Sequence, residues 1–107
     1  MRILIVRHGD PDYKNGTVTA KGAVESELLS ERLIKLNIKQ FYCSPLGRAR
    51  DTAAPTLKKL GREAIICDWL QEFPGYIIDK ETGKARIPWE LMPAFWTERE
   101  KLYHYID

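Results

Sequence analysis

The first dozen residues, Met-Arg-Ile-Leu-Ile-Val-Arg-His-Gly-Asp-Pro-Asp, constrain this chain more than any other stretch. Ile3, Leu4, Ile5 and Val6 are apolar and mostly β-branched, which predicts a buried strand starting almost at the amino end. Its lack of polar alternation is the pattern of a strand covered by helices on both faces. The strand runs straight into Arg7-His8-Gly9: a cation, a nucleophile or base, and a residue free to take positive φ. Ligands of open α/β sheets bind beyond the carboxyl ends of the strands, so these residues stand where chemistry is expected. Taken alone the tripeptide is a modest signal, because a strand end with an incidental histidine looks the same.

A chain of 107 residues suits one domain, just large enough to bury a core. It is 44% hydrophobic and 30% charged, and its net charge of +2 is spread along the chain. That balance argues against nucleic acid as the main partner while leaving room for a local anion pocket. No apolar stretch approaches the length of a membrane span, so no membrane partner is expected. The four-residue apolar run ends at Arg7 with no cleavage-like segment after it, which favours a strand over a signal peptide. Cys43 and Cys67 lack metal-like spacing, so two free thiols in a cytoplasmic protein are expected.

After the first strand, residues 10–16 form a polar loop rich in turn formers. Thr19 is placed to cap a helix running to about Leu36, with Ala20, Ala23, Val24, Leu28, Leu33 and Leu36 as its apolar stripe. Gly22 weakens that helix and suggests close packing. Residues 38–43 read as a second strand, followed by Ser44-Pro45 as N-cap and first residue of a second helix. That helix should reach Leu60, with Gly61 as its stop and a kink or break at Pro55. Residues 63–67 read as a third strand, with a polar-aromatic loop over residues 68–75. Strand, helix, strand, helix, strand predicts an α/β fold with a parallel sheet and right-handed crossovers. From Tyr76 the character changes: a hairpin around Glu81-Thr82-Gly83, a proline-broken aromatic segment, and a last helix from Thr97. The chain thus divides into residues 1–75, the α/β half of a single domain over residues 1–107, and a lid-like segment over residues 76–107.

Several features then fall on one sheet edge: Arg7 and His8 after the first strand, Ser44-Pro45-Leu46-Gly47-Arg48 after the second, and Leu70-Gln71-Glu72 after the third. Guanidinium groups and a helix N-terminus converging beside an imidazole make an anion site. This order resembles the histidine phosphatase superfamily, the phosphoglycerate mutase-like fold. The resemblance is carried by Arg7-His8-Gly9, Thr19-x-x-Gly22, Ser44-Pro45-x-x-Arg48-Ala49-x-x-Thr52-Ala53 and Leu70-x-Glu72, and covers residues 1 to about 75. The Arg-His-Gly-Asp-Pro-Asp-Tyr run looks like a bacterial phosphatase-like branch, and the short loop before Thr19 favours phosphatase over mutase (an isomerase).

The resemblance implies a three-layer α/β/α fold with a mostly parallel sheet, and a metal-independent phosphomonoester hydrolase that needs no cofactor. His8 would be the nucleophile, forming a phosphohistidine, and Glu72 the acid for the leaving oxygen. Arg7 and Arg48 would hold the phosphoryl oxygens of a small phosphorylated substrate or of inorganic phosphate. The family also carries a second histidine on a later strand, and the only other histidine here, His104, lies in a helical context. The reading is therefore an amino-terminal half, truncated after the third strand and a hairpin, with weak activity of its own. A phosphate- or partner-binding fragment without turnover and a mutase-type phosphotransferase are the alternatives. The first strand would then be an open apolar edge, so a homodimer or higher oligomer is expected, through strand pairing or exchange of residues 97–107.

Overall fold

The computed structural model describes residues 1–72, 77–78 and 82–86. The chain divides into two compact units, Met1–Glu72 and Phe73–Asp107. The first unit runs β1 (Pro11–Asp12), β2 (Thr17–Val18), α1 (Ala20–Leu33), β3 (Tyr42–Cys43), α2 (Gly47–Leu60) and β4 (Ile65–Ile66), followed by a 3-10 turn at Asp68–Leu70. It is a mixed α/β unit in which α1 packs on α2. The second unit contains the expected hairpin, β5 (Ile77–Ile78) antiparallel to β6 (Ala85–Arg86), with Gly83 at φ +70° between them. The aromatic segment, the helix expected from Thr97, and His104 lie outside the described residues.

Strand pairing differs from expectation. β3 and β4 form a parallel pair, Tyr42 opposite Ile65 and Cys43 opposite Ile66, joined by a crossover through α2. The other two described pairs, β1–β2 and β5–β6, are antiparallel. Residues 3–6, expected as a buried first strand, belong to no strand, and no backbone hydrogen bond joins them to any described residue. A β-branched run favours extended backbone but becomes a strand only when a neighbour takes its N–H and C=O groups. All four side chains are exposed, Ile5 at 94%.

The predicted loop over residues 10–16 is a tight hairpin. The Asp12 carboxylate accepts the Lys14 and Asn15 backbone N–H groups at 3.1 and 3.2 Å and the Asn15 side-chain amide at 2.7 Å. Gly16, at φ +68°, completes the turn that brings β2 back beside β1. Those hydrogen bonds hold the Asp12 carboxyl below the usual aspartate range, the Asn15 side chain contributing most.

Helix α1 starts where Thr19 predicts: its hydroxyl oxygen accepts the Gly22 N–H at 3.1 Å. The face it buries is not the one expected. Val24 and Leu28 are each 60% exposed, while Gly22, Ser26 and Ser30 are buried at intervals of four residues. Small residues on one stripe let the two helix backbones approach closely, and α2 answers with buried Thr52 and Thr56 at the same spacing. Buried hydroxyls are tolerated where they bond within their own helix: Ser26 donates to the Gly22 carbonyl and Ser30 to that of Glu27. Lys59 then reaches across to donate to the Ser30 hydroxyl at 2.7 Å and to pair with Glu27.

Helix α2 begins at Gly47, two residues later than Ser44-Pro45 suggested, because residues 44–46 are used to turn out of β3. The Ser44 hydroxyl accepts the Leu46 N–H at 3.3 Å, inside that turn. Pro55 does not divide the helix, which runs through to Leu60 despite the hydrogen bond that proline omits. Gly61 stops it as expected, at φ +59°, with the Arg62 N–H reaching back to the Leu57 carbonyl and the Gly61 N–H to that of Lys58. Cys43 is buried and Cys67 half-buried, both as free thiols. Burial pushes the Cys43 thiol up, with Arg50 opposing.

Candidate active site

The Arg7-His8-Gly9 segment is held at its Gly9 end, from two sides. The Gly9 N–H donates to the Thr52 hydroxyl at 3.0 Å, and that hydroxyl donates to the Arg48 carbonyl at 2.7 Å. A single buried threonine thus ties the histidine segment to the first turn of α2. On the other side, Gly9 lies against α1: a Cβ there would come within 2.9 Å of the Gly22 carbonyl oxygen. Asp10 continues the attachment, its N–H donating to Glu25 at 2.7 Å and its carboxylate accepting the Thr19 hydroxyl at 2.6 Å. A Cβ on Gly22 would overlap the Asp10 carbonyl oxygen, so the close packing expected at Gly22 is met by the histidine segment itself.

This placement fixes the chemistry of His8. Its Nδ1 lies 2.8 Å from the Gly9 carbonyl oxygen. A carbonyl only accepts, so the geometry assigns the proton of the neutral ring to Nδ1 and leaves the lone pair on Nε2. Nε2 is buried and has no hydrogen-bond partner among the described residues. It is a buried acceptor whose lone pair no described donor takes.

Arg48, on the first turn of α2, brings a fixed positive charge. Its side chain is 14% exposed; Nη2 donates to Glu72 Oε2 at 2.5 Å, and Glu72 is 48% exposed. Its guanidinium carbon sits 5.2 Å from the centre of the Tyr13 ring, and Tyr13 in turn meets His8 edge to face, 6.4 Å between ring centres. Arg48 Nε is buried without a hydrogen-bond partner among the described residues. His8 and Arg48 therefore share one aromatic neighbour, and Arg48 and Glu72 are in direct contact. Arg7 is different: it is exposed and makes no hydrogen bond or ion pair with a described residue.

Two contributors stood inside the sequence motifs without being given a role in the site. Thr52 stands four residues after Arg48, hence on the same helix face, and that spacing was the available signal. Tyr13 closed the Arg-His-Gly-Asp-Pro-Asp-Tyr run, but its reach to both His8 and Arg48 comes from the hairpin and had no local signal. Among the described residues no three His, Cys, Asp or Glu side chains gather as a metal site, and no helix is long and apolar enough to cross a membrane.

Residues 3–101 match the histidine phosphatase superfamily (branch 1), a span that takes in every group just described. The chain belongs to the histidine phosphatase superfamily. It is 34% identical over 67 residues to a probable phosphatase of Schizosaccharomyces pombe, covering 54% of this chain and 32% of that protein. It is 29% identical over 93 residues to a 2,3-bisphosphoglycerate-dependent phosphoglycerate mutase of Thermoplasma acidophilum, covering 78% of this chain and 43% of that one. The superfamily chain described here thus spans less than half the length of either curated relative. No solved structure matches it.

Proposed function

We propose that this histidine phosphatase chain carries the phosphoryl-accepting site of a phosphomonoester hydrolase. The observation that carries the reading is the pair of buried polar atoms facing no described partner: a lone pair on His8 Nε2 and an N–H on Arg48 Nε, flanking Tyr13. An unpartnered buried group costs about 1–3 kcal/mol; a phosphate ester's oxygens accept the Arg48 Nε–H, while its phosphorus is the electrophile for the His8 lone pair. His8 Nε2 attacks phosphorus while the bond from phosphorus to the leaving oxygen breaks, and Glu72 supplies the proton that oxygen needs. Water then attacks the phosphohistidine, the P–N bond breaks, and inorganic phosphate leaves as Glu72 regains its proton. Arg48, with Arg7 moving onto the ligand, spreads the charge on the equatorial oxygens, so protein groups alone serve the reaction. Superfamily membership supports a three-layer α/β/α arrangement around a mostly parallel sheet for the same fold, and a small phosphorylated substrate.

The test is turnover of an aryl phosphate by this chain in EDTA, with acid quenching to trap the intermediate. The expected results are an acid-labile, base-stable phosphoenzyme and loss of both label and turnover in His8→Ala. Full activity in His8→Ala would remove the assignment. The Thermoplasma relative favours a second reading, transfer of phosphate between positions of one substrate. Supplying a phosphoglycerate and asking whether phosphate migrates or is released to water separates the two.

A further inference from the structure

We infer that Tyr13 is a positioning residue for this site: its ring sets the Arg48 guanidinium against His8, ready for the oxygens of a phosphoryl group. The inference rests on the proposed phosphoryl-accepting reading and adds a residue to it. The ring touches both partners in different ways, its centre lying 5.2 Å from the guanidinium carbon and its plane at 86° to the imidazole 6.4 Å away. The first contact uses the negative face of the ring to hold a cation, and the second fixes a right angle between two rings.

Arg48 has a competing anchor in Glu72, at 2.5 Å. With Glu72 alone the guanidinium could swing with that half-exposed carboxylate, away from the ring it shares with His8. Tyr13 restrains it from the other side, and Tyr13 is itself restrained. It follows Asp12, whose carboxylate gathers three hydrogen bonds from Lys14 and Asn15, and the hairpin is tied to α2 through the Val18 N–H and Asp51 at 3.4 Å. A substrate anion entering beside the Tyr13 ring therefore meets a cation already in place, and less ordering is left to the binding step.

The experiment titrates inorganic phosphate and orthovanadate into the full 107-residue chain and into Tyr13→Phe, Tyr13→Leu, Arg48→Ala and His8→Ala, each first checked for the wild-type melting temperature. Tyr13→Phe keeps the aromatic face and is expected to bind as the wild type does. Tyr13→Leu keeps bulk without the ring and is expected to bind about two- to fivefold more weakly, the loss of an exposed cation–π contact. Rescue by phenylalanine but not leucine is a pattern that a merely space-filling side chain does not produce. If Tyr13→Leu binds as tightly as the wild type while Arg48→Ala does not bind, the inference is wrong and the anion site stands. If Arg48→Ala binds like the wild type, or no version binds either anion, the phosphoryl-accepting reading fails and this inference fails with it.

Discussion

Asp12 illustrates how a single carboxylate far from any reaction shapes the site. Hydrogen bonds from Asn15 and Lys14 hold its carboxyl below the usual aspartate range. Because the folded value is the lower one, the contribution is present above the unfolded aspartate value and disappears as pH falls through the folded one. The hairpin that carries Tyr13 should therefore loosen only in acid and be fully formed at neutral pH. An NMR titration following the Lys14 and Asn15 amides should give a midpoint below that of a free aspartate. Asn15→Ala, which removes the leading cause, should move that midpoint upward. A midpoint at or above the free value would show that these hydrogen bonds do not hold in solution. The same scale explains why His8 was legible in the sequence and Tyr13 was not. An Arg-His-Gly run after an apolar strand-like stretch announces itself locally, whereas the contact of Tyr13 with Arg48 joins residues 35 positions apart through a turn.

At the scale of the elements, two glycines make opposite predictions. Gly22→Ala places a methyl group against the Asp10 carbonyl and the Val18 side chain, within the contact that seats the histidine segment on α1. Overpacking of this kind costs about 1–3 kcal/mol, more than the gain in helix propensity of about 1 kcal/mol from replacing glycine. Loss of stability with weaker phosphate binding is the expected result. Gly61→Ala meets no atom within 4 Å but forces a non-glycine residue to φ +59°. A cost of about 1 kcal/mol with unchanged phosphate binding is expected there. Thermal melts paired with phosphate titrations check both, and equal binding by the Gly22 variant would contradict the seating argument. Caps and stops such as Thr19 and Gly61 were readable because they depend on neighbours within four residues. The buried face of α1 was not, because Ser26 and Ser30 face another helix of small residues, and hydropathy alone pointed to Val24 and Leu28. The parallel pairing of β3 with β4 followed from the strand–helix–strand order, while the isolation of residues 3–6 depends on which strand edge accepts them.

At the scale of the whole molecule, that isolated segment is the most exposed apolar run among the described residues, with Ile3 at 70% and Ile5 at 94% exposed. Unpaired backbone beside large apolar side chains is a template for another strand, and two copies can supply it to each other. Antiparallel pairing about a two-fold axis between Leu4 and Ile5 sets Leu4 opposite Ile5 of the second copy and Ile3 opposite Val6. The same register sets Arg2 opposite Arg7, and like charges directly across a strand pair oppose association. Self-association through this segment should therefore strengthen as salt screens the arginines, the reverse of an interface held by ion pairs. Sedimentation velocity on the chain at rising concentration, in low and in physiological salt, tests the expectation. A shift to dimer or larger species that grows with salt is the predicted outcome. Ile5→Lys adds a third like charge and removes the central contact, so it should return the chain to monomer at every salt concentration. A wild-type monomer throughout the series would contradict the proposal. Association that weakens with salt would point to oppositely charged surfaces instead of residues 3–6.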